Sequence, residues 1–181
     1  MKALSIVQAL MGAGFPRLLP PVQAFHRLTG SHVLHGWVQT EAPITFLGRL
    51  MARCLGTPLS PSAGAIRFEL DAHADHEIWV RHFPTNTMMS RMRLVHGELT
   101  ESLGPIRLYF CLDEVKGRLV MRLTKLRFLM LPCPRWAMPI VIAEEGGSGD
   151  RLEFNVKASF PLVGQVAGYR GYLVIHVGET E

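Results

Sequence analysis

From Gly64 onward the apolar residues of this chain recur at every second position, and that period constrains the fold more than any other feature. Ile66, Phe68, Leu70 and Ala72 alternate with Arg67, Glu69 and Asp71. This is the pattern of an antiparallel strand with one face on a core and the other in water. Leu152, Phe154, Val156, Ala158 and Phe160 alternate in the same way with Arg151, Glu153, Asn155, Lys157 and Ser159. Further strands are expected over 77–83, 88–99, 106–113, 118–126 and 139–145, with a last one over 166–177. The breaks hold turn-forming residues: Asp71 to Asp75, Pro84 to Asn86, Gly104-Pro105, Lys116-Gly117 and Gly146 to Asp150. Such short breaks make hairpins, and eight or so hairpin-linked strands curl into a barrel or a strongly bent half-barrel.

The first third reads differently. Residues 3–11 place Leu4, Val7 and Met11 on one helical face, and Pro20-Pro21 opens a second short helix that Gly30 ends. A strand is expected over 33–40. Residues 44–55 carry the strongest helical period, with Phe46, Leu47, Leu50, Met51 and Cys54 on one side, Arg49 and Arg53 opposite, and Gly56 as the C-cap. The expected fold is therefore α+β and mainly β: N-terminal helices packed on a strongly curved antiparallel sheet that forms a barrel or half-barrel. The 181 residues make one domain, 1–181. Leu131-Pro-Cys-Pro134, followed by Arg135 and Trp136, breaks the strand pattern and is expected to cross the sheet as a loop or short helix.

Composition excludes several classes. No apolar stretch reaches the length of a membrane span. Gln8 interrupts the apolar run after Met1-Lys2 and no cleavage-site pattern follows, so that run reads as a helix and not a leader. Cys54, Cys111 and Cys133 include no C-x-x-C pair, so neither a disulfide framework nor a structural zinc site is expected. Set among apolar neighbours, they read as small buried hydrophobes of a protein in a reducing, cytoplasmic compartment. The net charge of +4 is carried mostly by single arginines along predicted strands, unlike the clustered basic face of a nucleic-acid binder.

Motifs for phosphate, dinucleotide or serine-nucleophile chemistry are absent from the sequence. His73, Asp75, His76, Glu77 and His82 crowd one predicted hairpin, but a tight turn supplies too few converging ligands, and no metal is expected. His96 and His176 read as strand residues, partly buried and hydrogen-bonded.

The informative segment is Glu77-Ile-Trp79-Val-Arg81-His-Phe83. Strand geometry puts Glu77, Trp79, Arg81 and Phe83 on one face, and Ile78, Val80 and His82 on the other. Both faces hold large apolar groups, so the strand is expected to be covered on both sides. An arginine between Trp and Phe on a concave face needs a carboxylate or a ligand to pair with it. Glu77, Glu98 and Glu101 are the candidate partners. The alternative is an ordinary Arg–Glu pair on the outer surface.

These stretches resemble a bacterial family catalogued as domain of unknown function 4166. The resemblance rests on Gly12-Ala-x-Phe15, Leu19-Pro-Pro21, His26, Gly36, the Phe46 to Gly56 helix with Pro58, and Glu77-x-Trp79-x-Arg81-x-Phe83. It continues through Ser90, Glu101-x-x-Gly104-Pro105, Pro132-x-Pro134, Phe154-x-Val156, Pro161-x-x-Gly164 and Tyr169-x-Gly171-x-Leu173. Members occur alone or fused behind a saccharopine-dehydrogenase-like NAD(P)-binding domain. The resemblance thus implies an NAD(P)-dependent oxidoreductase as a partner and names no catalytic residue.

Three readings follow. The first is a non-catalytic module that binds a small apolar or amphipathic ligand in the curved sheet. Arg81, paired to Glu77 or Glu101, would fix the head, and Trp79, Met92, Tyr109 and Tyr169 would line the wall. No cofactor is expected. The second is an accessory or catalytic partner of an oxidoreductase, with Glu101, His96 or Tyr169 in acid–base roles. The third is a structural or interaction domain whose own side chains fill the core.

Overall fold

The computed structural model describes residues 4–175. Its strands are β1 (Gly30–Thr40), β2 (Ser62–Ala72), β3 (His76–His82), β4 (Thr87–Val95), β5 (Glu98–Leu103), β6 (Ile106–Val115), β7 (Arg118–Phe128), the two-residue β8 (Leu131–Pro132), β9 (Ile140–Ser148), β10 (Arg151–Phe160) and β11 (Gly164–Val174). Around the wall the order is β6, β5, β4, β3, β2, β1, β11, β10, β9, β7, and β7 returns to β6. Ten strands therefore close a barrel among the described residues, every neighbouring pair antiparallel. Closure removes the unpaired edges that a half-barrel would leave.

The wall has one weak seam. β6 and β7 pair from Ile106 with Phe128 to Val115 with Arg118. β7 and β9 pair only at Leu119 with Glu145 and Val120 with Glu144, and then part. The segment containing β8 and a 3₁₀ turn (Arg135–Ala137) spans the gap, as its prolines predict. A bulge at the Tyr109/Phe110 step of the β6–β7 ladder shifts the register and lets Leu123 and Leu126 of β7, three residues apart, both pack inward.

The strand expected over 88–99 is instead the hairpin of β4 and β5. His96 and Gly97 both have positive φ, 50° and 78°, as a two-residue turn matching the strand twist requires. His96 is thus exposed at a tip and not held in a strand. His176 lies outside the described residues.

The two ends of the barrel are covered differently. At one, α1 (Ile6–Met11) starts on a capping box made by Ser5 and Gln8, and α2 (Pro20–Phe25) starts on its prolines. Ile6, Val7, Val22 and Phe25 are buried there. The Leu19 N–H donates to the Gly117 carbonyl at 2.8 Å, tying this end to the β6–β7 hairpin.

At the other end lies α3 (Phe46–Leu55), capped by Thr45 and by Gly56 at φ 72°. Its apolar stripe does not face the core. Gly48 and Ala52 are buried, while Phe46, Leu47, Leu50 and Cys54 are exposed. The cause is steric: a Cβ on Gly48 would stand 2.9 Å from the Gln165 carbonyl oxygen, so the helix meets the barrel backbone through its smallest residues. The cysteines depart from expectation too, since Cys54 and Cys111 are exposed and Cys133 is half-buried. Among the described residues no helix is long and apolar enough to cross a membrane.

Candidate functional site

The inward face of β3 carries Glu77, Trp79 and Arg81, all buried, with Phe83 following. Ile78, Val80 and His82 point outward and are only half-buried, so β3 is not covered on both sides: nothing packs over the outside of a single-walled barrel. His82 instead meets Glu69 on the outer face, 2.9 Å from Nε2. His73 and His76 stack in the β2–β3 turn, with His76 bonded to Asp75.

Inside the barrel lies a cavity of about 120 Å³ with mostly apolar walls. Trp79 and Arg81 of β3, Met92 of β4, Glu101 of β5 and Tyr169 of β11 all line it. Tyr109 does not. It packs on the outer side of the wall, where the Lys125 ammonium and the Arg127 guanidinium each sit 5.8 Å from its ring centroid. Glu77 is buried beside the cavity and reaches it only through Trp79, whose Nε1–H donates to Oε2 of Glu77 at 2.9 Å.

Arg81 is held from several sides. Its Nη1 donates to Ser90 Oγ at 3.0 Å, and Nη2 stands 3.6 Å from Glu101 Oε1. The guanidinium carbon lies 4.9 Å from the Trp79 ring centroid and 5.7 Å from that of Phe68, a favourable place for a desolvated cation. A guanidinium has five N–H donors, and among the described residues only the Ser90 bond satisfies one of them inside the chain. Tyr169, a buried residue that lines the same cavity, makes no side-chain hydrogen bond among the described residues either. Burial pushes this phenol above its ordinary value; the charge of Arg81 opposes the rise, and Glu101 and Glu145 add to it.

A second polar pair lies at the cavity floor, where Glu145 lines the space and His26 stands behind it. Nε2 of His26, at the end of α2, lies 2.6 Å from Oε2 of Glu145, and both residues are buried. Burial alone would lower the imidazole, but the charge and hydrogen bond of Glu145, with Glu77 assisting, hold it above 6.5. Glu77 is pushed above the ordinary glutamate value, chiefly by burial. His26 and the Trp79 hydrogen bond pull it back, and Glu145 raises it further. His26, Ser90 and Glu145 are site residues that strand reasoning missed. Glu145 was within reach, since Val141, Ala143 and Glu145 share one strand face.

The cavity is not sealed. Phe154, Val156, Ala158 and Phe160 of β10 line it yet remain half-exposed, as does Val141 beside the seam. Openness and seam coincide.

Against known proteins, residues 18–173 match the model of the family described as Domain of unknown function (DUF4166). The chain belongs to this family. The match spans β1 to β11 and so includes the whole barrel and the His26 floor. No curated protein is detectably similar to the chain. A solved structure, the crystal structure of Rv2717c from M. tuberculosis, superposes with a TM-score of 0.46 at 12% identity, covering 88% of this chain and 99% of that one.

Proposed function

We propose that this DUF4166 chain is a binding module for one small amphipathic molecule, with an apolar body in the barrel and an oxygen-bearing head on Arg81 and Tyr169. The observation that carries the reading is unspent donor capacity. A guanidinium with a single hydrogen bond among the described residues, and the side chain of Tyr169 with none, both line an apolar cavity. The cavity of about 120 Å³ counts against a core filled by its own side chains.

The test is mass spectrometry of the purified chain, native and then denatured. A small molecule released on unfolding, and missing from Arg81→Leu and Trp79→Leu preparations that still fold, is the expected result. Retention by both variants sinks the reading.

A second reading rests on the His26–Glu145 pair at the cavity floor, which supplies acid–base groups beside the same site. In it the chain serves as accessory or catalytic partner of an NAD(P)-dependent oxidoreductase. A change in that enzyme's rate on adding this chain, abolished by Glu145→Gln, supports it; an unchanged rate rejects it.

A further inference from the structure

We infer that the rim of the barrel end that carries α3 is a docking surface for an anionic lipid bilayer. The inference goes beyond the ligand reading and does not depend on it.

The rim is continuous. Thr45, at the start of α3, bonds the Val163 carbonyl in the β10–β11 turn. At the far end of α3, the Cys54 carbonyl abuts Gly104 in the β5–β6 turn. The neighbouring Pro105 carbonyl accepts from the Leu129 N–H at 2.9 Å, and the segment from Leu129 leads across the seam to Ile140, which pairs with Ser159 of β10. The ring thus closes on itself.

Its side chains point away from the protein. Ile44 is 88% exposed, Phe46 81%, Trp136 75% and Leu162 96%. Leu47, Leu50, Leu129, Met130, Leu131 and Ile140 are exposed between them. A monomer in water rarely shows so many large apolar groups together. Phe, Leu and Trp exposed around one end of a protein are what an interfacial surface buries among lipid headgroups.

The charges select the kind of surface. No acidic residue occurs between Glu41 and Glu69, between Glu114 and Glu144, or between Glu153 and Glu179. Those stretches contain α3, the seam segment and the β10–β11 turn. Arg49, Arg53, Arg127 and Arg135 lie there without a carboxylate partner among the described residues. On α3 the two arginines flank the exposed stripe, the arrangement of a helix lying in a headgroup layer. A second copy of the chain fits less well, because a two-fold contact would set these unpaired arginines against one another.

The experiment is flotation of the full chain with vesicles of phosphatidylcholine alone or mixed with phosphatidylglycerol. Partition onto the mixed vesicles should exceed that onto neutral ones by roughly tenfold or more, and fall as salt rises. Arg53→Ala and Arg135→Ala should each weaken it about fivefold. Phe46→Ser with Trp136→Ser should abolish it while thermal unfolding stays in place, because both side chains are already in water. Arg81→Leu, which damages the proposed ligand site, should leave partition unchanged and so separates the two ideas. Failure of the unaltered chain to float with mixed vesicles overturns the inference. So does self-association on sedimentation that the Phe46/Trp136 pair of substitutions abolishes, which would make the rim a contact between copies.

Discussion

α2 and α3 cover opposite ends of one barrel and handle their apolar residues in opposite ways. α2 has six residues and no regular stripe, yet it buries Pro21, Val22 and Phe25, driving the Phe25 ring edge-on against Phe68 and Trp79 at 5.8 and 5.5 Å. α3 has the cleaner stripe and turns it outward, seating itself through Gly48 and Ala52. The lesson concerns what amphipathicity reports. A regular stripe says that a face wants to leave water; the space left by neighbouring backbone decides whether the protein's own core is what receives it.

That contrast can be broken at either end. The largest effect is expected at the closed end, where Phe25→Ala should cost about 3–5 kcal/mol in chemical denaturation, the usual range for a buried aromatic. A loss below about 1 kcal/mol would mean that α2 is as loosely seated as α3. Next comes Glu145→Ala, which strands a buried imidazole; about 2–3 kcal/mol should be lost near pH 6, measured in the same way.

The pH dependence sharpens the same point. His26 is raised in the folded chain, so its contribution is fully present below 6.5 and fades as pH climbs through the higher folded value. Glu77 is raised too, so the stability tied to its proton is likewise lost as pH rises above the ordinary glutamate value. Melting temperature should therefore decline on the alkaline side of pH 6.5. In Glu145→Gln, an NMR titration should find His26 below 6.5, since burial then prevails. A titration that stays above 6.5 without Glu145 would assign the elevation elsewhere. The smallest effect belongs to the α3 end: Phe46→Ser and Leu47→Ser should each change unfolding free energy by no more than about 0.5 kcal/mol.

Much of this was legible in residues alone. Alternation grouped Glu77, Trp79 and Arg81 on one face of β3 and left open which face is inside; the structure turns that face inward and brings Met92, Glu101 and Tyr169 to the same cavity as Trp79 and Arg81. Where it failed, the causes are physical. Tyr109 is buried, but on the outer side of the wall beneath two cations, and alternation does not say which of two faces is the concave one. The His96-Gly97 turn splits a run that reads as one strand, because only positive φ at both residues reveals it. His26 and Glu145 stand 119 residues apart and meet because α2 plugs the end of a cylinder, a long-range event with no local signature.

The two-rung seam has a further consequence. A fully bonded barrel has its bore fixed by strand number and stagger; this one joins β7 to β9 by two rungs only, which leaves its bore less tightly fixed there. Arg81 sits on β3, four strands from β7 one way round and five from β9 the other, and so on the wall facing that slack joint. A guest would be gripped by its polar end on a stiff surface while its other end pressed on a yielding one. Under the binding function proposed above, discrimination would then be strict for the chemistry of the head and lenient for the bulk of the tail, which suits a class of compounds and not a single species.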